Sequence, residues 1–155
     1  MKIFLLKNKN GQIVEKAADI MSESSPWIKL GIKRKDCIKT IKSKRYDFYY
    51  ACENRELAGF VLLENFGSFK GYIKILCVSE DFRGKGIGKS LIKKAEQIIF
   101  SHSKNVFLCV SSFNKKAFIF YKKLGYKRVG ILKDFLVKGR DEYLMRKTKG
   151  PILKN

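Results

Sequence analysis

The sequence predicts a mixed α/β domain whose sheet is largely antiparallel, with at least one β-α-β crossover. Two observations carry this. Short runs rich in β-branched and aromatic residues, such as "YDFYYACE" and "NVFLCVSS", alternate with amphipathic stretches of helical period. No repeat, low-complexity block or Pro/Ser linker interrupts the 155 residues, which is one domain's worth of chain.

The elements follow in order. Residues 2–6 and 12–15 read as extended, and 16–22 as a short helix. "SSPW" looks like a helix start, with Ser25 as cap and Pro26 in the first turn. Residues 34–43 form an amphipathic helix around Cys37, Ile38 and Ile41. Residues 46–53 form an aromatic-rich strand, which turns at Asn54-Arg55 into a second strand over 56–66. Gly67 and Gly71 bracket the turn to a third long strand, "YIKILCVSE". A helix comes next, with Ile87, Leu91, Ile92, Ala95, Ile98 and Ile99 on one stripe. Residues 105–112, "NVFLCVSS", hold an unbroken apolar run from Val106 to Val110, which suggests a strand covered on both faces. A helix capped by Asn114 and stopped at Gly125 precedes two last strands, joined by a turn at Lys138-Gly139-Arg140.

Composition narrows the function. Apolar residues make up 45% of the chain, a globular proportion. No apolar run approaches the roughly 20 residues of a membrane helix. The N-terminus reads as a first strand rather than a signal peptide, so a cytoplasmic location is expected. Cys37, Cys52, Cys77 and Cys109 are widely spread, there is no C-x-x-C, and His102 is the single histidine. A metal site is not expected, and reduced thiols are. His102 falls at a helix end, where the dipole favours it as a surface residue. The net charge of +20 invites a nucleic-acid reading. The lysines are scattered and there is no arginine-rich arm, so a generic basic surface with an anionic ligand is preferred.

That ligand has an address. "FRGKGIGKS" follows the third long strand and opens a helix. A Walker A loop would need glycine where Arg83 stands, and a dinucleotide fingerprint would need glycine where Lys89 stands. What remains is Arg83-x-x-Gly86-x-Gly88, a tight turn into a helix N-terminus. Its amides and dipole suit a pyrophosphate, and its glycines let that group approach. Alone, this pattern would be no more than a glycine turn with surface lysines.

It is not alone. "CVSEDFRGKGIGKSLIKKAE" resembles the first signature of the GNAT superfamily of acetyl-CoA-dependent N-acetyltransferases, and "NKKAFIFYKKLGYK" resembles the second. The resemblance covers about residues 45–147 and leaves 1–44 as a variable, substrate-side segment of a single 1–155 domain. It implies a twisted, mostly antiparallel sheet of six to seven strands, about four helices on both faces, and a splayed central strand pair. It implies acetyl-CoA as co-substrate, with Leu76, Cys77 and Val78 offering backbone groups to its pantetheine arm. Arg83, Gly84, Lys85, Gly86, Ile87, Gly88 and Lys89 would hold its pyrophosphate. Asn114 would reach the same arm, or simply cap its helix. Val78 N–H would be the oxyanion donor, a role worth about 3 kcal/mol.

Tyr121 holds the family's tyrosine position; it would face the sulfur of the coenzyme as part of its binding site and protonate the leaving thiolate, although neighbouring Phe118 and Phe120 also suit a plain core aromatic. The base departs from the family pattern. Its usual positions carry Cys109 and, on the long strand, Tyr72 and Lys74. Glu64, or a water chain, is the remaining option. Cys109 as an acyl carrier is disfavoured, because buried cysteines are inert. Trp27 either roofs the acceptor site or anchors the core.

The expected reaction is direct attack of a primary amine on acetyl-CoA. The acceptor is read as a protein or peptide amine, because so basic a chain repels polyamines and aminoglycosides. A small-molecule amine acceptor and a non-catalytic acyl-CoA-binding module stand as alternatives. Nucleic-acid binding ranks last, since it leaves the asparagine–tyrosine motif unexplained. Either a monomer or a homodimer is compatible with the sequence.

Overall fold

The computed structural model describes residues 2–153. The outermost positions of the expected 1–155 unit lie outside them. The strands are β1 (Ile3–Leu5), β2 (Asp47–Glu53), β3 (Glu56–Glu64), β4 (Tyr72–Val78), β5 (Asn105–Ser111), β6 (Lys127–Val137) and β7 (Arg140–Thr148). They form one sheet in the order β1-β2-β3-β4-β5-β7-β6. All neighbours are antiparallel except β4 and β5. The helices are α1 (Gln12–Ser22), α2 (Arg34–Lys42), α3 (Ile87–Phe100) and α4 (Lys115–Lys123), with 3-10 turns at Ile28–Leu30 and Glu80–Phe82.

The two faces of the sheet have separate cores. Val14, Ala17, Ala18 and Met21 of α1 and Cys37 and Ile41 of α2 pack with Phe48, Phe60, Leu62, Ile75 and Cys77. On the other face, Ile87, Leu91, Ile92, Ala95 and Ile99 of α3 and Tyr121 of α4 pack with Val61, Leu63, Ile73, Val106, Leu108, Val110 and Met145. The stripe read from the sequence is therefore the buried face of α3, with Ile98 partly buried at its margin. β5 is an interior strand, as its apolar run requires.

Two local expectations are corrected. Residues 12–15 are not extended: they are the first turn of α1. The β-branched pair Ile13-Val14 suggests a strand, yet Val14, Ala17, Ala18 and Met21 repeat with helical spacing, and burying that stripe outweighs local preference. Ser25 does not cap a helix. The chain turns through Ser25 to Trp27 and forms only the short 3-10 turn, whose cap position is Trp27 and carries no side-chain bond.

The sheet splits at its centre for a visible reason. β4 and β5 are paired only at Tyr72↔Phe107 and Ile73↔Leu108. Just beyond, the β3–β4 register slips: Leu63 faces Ile73 but Leu62 faces Ile75, so Lys74 is an extra residue. A bulge of this kind bends its strand. β4 turns away from β5, and a gap opens from Lys74 onward.

A gap through the sheet and an uncapped helix

The gap exposes backbone. Ser79 N–H donates to the Ala58 carbonyl directly opposite, at 3.0 Å. Antiparallel pairs alternate between bonded and non-bonded, so Cys77 also turns its amide to β3, while Leu76 and Val78 turn theirs away, towards the gap. Of the three expected backbone contacts, two are thus free and the third is spent within the sheet. Gly59 lets β3 and β4 lie this close: a Cβ there would sit 2.8 Å from the Cys77 carbonyl oxygen.

Immediately after β4, the chain turns through Arg83, Gly84, Lys85 and Gly86 into α3. Gly84 and Gly86 have φ of 77° and 81°, a region that glycine enters without strain. A Cβ on either would meet nothing within 4 Å, so the concave side of the turn is open. Among the described residues no side chain caps α3, and no acidic residue stands in its first turn. Its free amides and positive dipole end therefore face outward. Gly88 rests on the gap itself, since a Cβ there would lie 3.5 Å from Val78 and 3.6 Å from Phe120. Ile87 is buried and can offer only backbone. Lys89 is exposed, and the Lys85 ammonium lies 5.0 Å from the Phe82 ring centroid. Arg83 is folded back: Nε donates to the Val78 carbonyl and Nη2 to Ser24 Oγ, each at 3.2 Å. It ties the turn to the end of β4 and to the segment after α1.

A cavity of about 210 Å³ occupies the gap. Its walls come from both faces of the sheet. Asn114, Ala117 and Tyr121 line it from the α4 side, while Met21, Trp27 and Leu30 line it from the α1 side. Phe135 and Leu136 of the β6–β7 hairpin also reach it. The cavity is a passage through the sheet. Trp27 both lines this passage and packs against the α1–α2 core.

Tyr121 is buried, with its ring 5.1 Å from that of Phe120 and 5.6 Å from that of Tyr126, in edge-on contact with both. Burial pushes its hydroxyl well above the usual tyrosine range, so it holds its proton. Asn114 caps α4 by accepting from Ala117 N–H at 3.2 Å, and it also lines the cavity. Cys109 lines it too, beside Tyr72; burial pushes its thiol up, which opposes thiolate formation. Cys77 is more extreme, pushed up to about 12 by burial. All four cysteines are free. His102 is exposed just past α3, with Nε2 3.2 Å from Asn65 Oδ1.

Glu64 is not brought to the gap. It ends β3, is paired with Arg45 at 2.5 Å, and does not line the cavity. The carboxylate that does is one that sequence reasoning passed over. Glu142 of β7 is 3% exposed, lines the cavity, and accepts from Ser111 Oγ at 2.5 Å. In the sequence it is an unremarked member of a polar strand, and only the pairing Ser111↔Glu142 places it here. Among the described residues, no three His, Cys, Asp or Glu side chains gather into a metal-binding group, and no helix is long and apolar enough to cross a membrane.

Comparison with known proteins agrees with this geometry. Residues 14–126 match the model of the acetyltransferase (GNAT) family. An N-alpha-acetyltransferase of Sulfolobus acidocaldarius is 30% identical over 121 residues, covering 70% of this chain and 72% of that protein. One from Sulfurisphaera tokodaii is 37% identical over 79 residues, 49% of this chain; that match spans about half (47%) of the relative's length. An aminoglycoside 6'-N-acetyltransferase complexed with coenzyme A superposes with a TM-score of 0.78 at 19% identity, over 99% of this chain and 100% of that one.

Proposed function

The chain belongs to the acetyltransferase (GNAT) family, and from that premise we propose that it moves an acetyl group from acetyl-CoA to the primary amine of a peptide or protein. The observation that carries the proposal is the passage through the sheet. It has the outward-turned amide of Leu76 on one wall and a protonated Tyr121 on another, and the amide of Val78 turns the same way two residues further along β4. The open turn at Gly84 and Gly86 lies at the end of β4, where a pyrophosphate would meet the uncapped amides of α3. Thioester chemistry needs both kinds of group: a donor for charge developing on the carbonyl oxygen, and an acid for the sulfur.

The chain's own residues divide the work. Leu76 and Val78 hold the extended arm as an added strand would be held, and so aim the thioester into the gap. Val78 N–H donates to the carbonyl oxygen as negative charge grows there, with no reorganisation needed. Tyr121 gives its proton to the sulfur as the C–S bond breaks. Its raised affinity for that proton keeps it in the acid form at neutral pH. Asn114 holds the first turn of α4, and hence Tyr121, in place. Arg83 steadies the turn rather than facing its open side.

Two things support a peptide acceptor over a small polycation. The two relatives named above by sequence identity of 30% or more are N-alpha-acetyltransferases, whereas the aminoglycoside enzyme is alike in fold at 19% identity. The chain carries a net charge of +20, and among the described residues Glu142 is the one carboxylate lining the cavity, which leaves little to hold several positive charges. Thiol release from acetyl-CoA, measured with a panel of free-amino-terminus peptides against spermidine and an aminoglycoside, tests this. Turnover on peptides is expected. Turnover confined to the small amines would overturn the acceptor class.

A further inference from the structure

An alkylammonium acceptor must lose a proton before its nitrogen can attack, and neither Glu64 nor Cys109 is suited to take it. Glu64 is held by Arg45 away from the cavity, and Cys109 is a neutral thiol. Glu142 is better placed. Continuing the β4–β5 register from Tyr72↔Phe107, Ser111 stands across the gap from Leu76, and Glu142 is the partner of Ser111 on the next strand. The two side chains share a face of the sheet. Val106, Leu108 and Val110 point to the α3–α4 face, so Ser111 and Glu142 point to the α1–α2 face. Tyr121 comes from the opposite face.

The carboxylate is also half free. Ser111 Oγ binds Oε1, whereas Oε2 has no hydrogen-bond partner among the described residues and is not one of the sealed polar atoms. Glu142 is one of the residues that line the cavity. We propose that Glu142 Oε2 receives the ammonium of the acceptor and takes its proton, so that base and acid act from opposite faces of the split sheet. This rests on the acetyltransferase reading above.

The proton count closes. The ammonium nitrogen loses two protons. Glu142 takes one before the N–C bond forms and passes it to water. The second leaves as the C–S bond breaks, and it replaces the proton that Tyr121 gives to the sulfur. Burial raises the affinity of Glu142 for a proton, which strengthens it as a base, while the Ser111 hydroxyl and the nearby Lys74 ammonium act the other way. Tyr72 and Cys109 face the same space, and both keep their protons. On the hairpin side, Asp141 is occupied by Lys133 at 2.8 Å. An α-amino group, with a pKa of about 8, is a far easier donor to such a base than a lysine near 10.4.

The test compares Glu142→Gln with the wild type on one peptide acceptor, from pH 6 to the acceptor's own pKa and above. At neutral pH, kcat/KM should fall about 100-fold, within the range of general-base effects. The affinity for acetyl-CoA, by calorimetry, should stay within twofold. The deficit should shrink as pH rises and free amine forms without help. A deficit equal at every pH would mean a merely structural clasp, and activity within threefold of wild type would remove Glu142 from the reaction; either result overturns the proposal. If Glu142→Gln fails to bind acetyl-CoA, Ser111→Ala decides. Loss of that hydroxyl should move the acid limb of kcat/KM to higher pH, and an unmoved limb overturns the proposal. Wild-type protein without acceptor-dependent thiol release would instead sink the acetyltransferase reading itself.

Discussion

Ser111 and Glu142 face each other across β5 and β7, joined by a hydrogen bond of 2.5 Å, in a cavity wall that is otherwise largely apolar. The pair puts a carboxylate where a charge is costly, and this has a consequence for stability as well as for chemistry. The Glu142 carboxyl is raised above its ordinary 4.5, chiefly by burial. Between that ordinary value and the folded one, the native chain binds more protons than the unfolded chain. The contribution of this group to stability therefore falls as pH rises through that window, opposite to the usual carboxylate. Urea midpoints of wild type and Glu142→Gln should diverge in favour of the variant as pH rises from 4.5 to neutrality. Parallel midpoints would count against the raised carboxyl.

Tyr121→Phe keeps the edge-on packing against Phe120 and Tyr126 and removes only the hydroxyl. With no acid at the sulfur, kcat should fall about 100-fold. Acetyl-CoA affinity should change far less, since the hydroxyl is one contact among the many that hold the coenzyme. Steady-state kinetics with calorimetry on the same sample checks both. A harmless substitution would point instead to the alternative in which the chain binds acyl-CoA without catalysis.

Gly84→Asp tests the pyrophosphate turn by charge rather than by bulk. There is open space at this position, and aspartate tolerates φ near 77° better than most residues. Its carboxylate would face the phosphates. Affinity for acetyl-CoA should drop at least about tenfold, the equivalent of roughly 1.4 kcal/mol. Gly84→Asn, with the same shape and no charge, should lose much less. Equal losses would mean that backbone freedom, and not charge, sets the effect.

Gly59→Ala probes the split from behind. The new methyl would meet the Cys77 carbonyl at 2.8 Å and the Val78 Cα at 3.3 Å, and both are backbone atoms that cannot swing aside. A loss of about 2 kcal/mol in unfolding free energy is expected from such overpacking, read from urea denaturation. Because the shift falls on Val78, kcat should fall along with stability.

The sequence was most legible where function is local. The turn at Gly84 and Gly86, the α3 stripe and the Asn114 cap depend on residues a few positions apart, and they stand where the pattern put them. What was hidden depends on pairing between distant segments. The extra residue Lys74, which opens the gap, is a slip of register against β3, and no local pattern marks it. Glu142 looks like any charged residue of a polar strand until β5 is laid beside it. Glu64, the carboxylate that seemed available, is claimed by Arg45, a partner 19 residues away in sequence. The start of α1 was obscured for a different reason: the local strand preference of Ile13-Val14 yields to burial of a four-residue stripe.

The most direct test of the account is whether an acetyl group crosses the gap onto a nitrogen. Stoichiometric acetyl-CoA and protein, mixed with a peptide carrying one free amine at its N-terminus, should yield that peptide heavier by one acetyl group and an equal amount of free thiol. The same peptide with a blocked N-terminus should yield neither. Tight binding of acetyl-CoA with no acetylated product from any free-amine peptide or small amine would contradict the account.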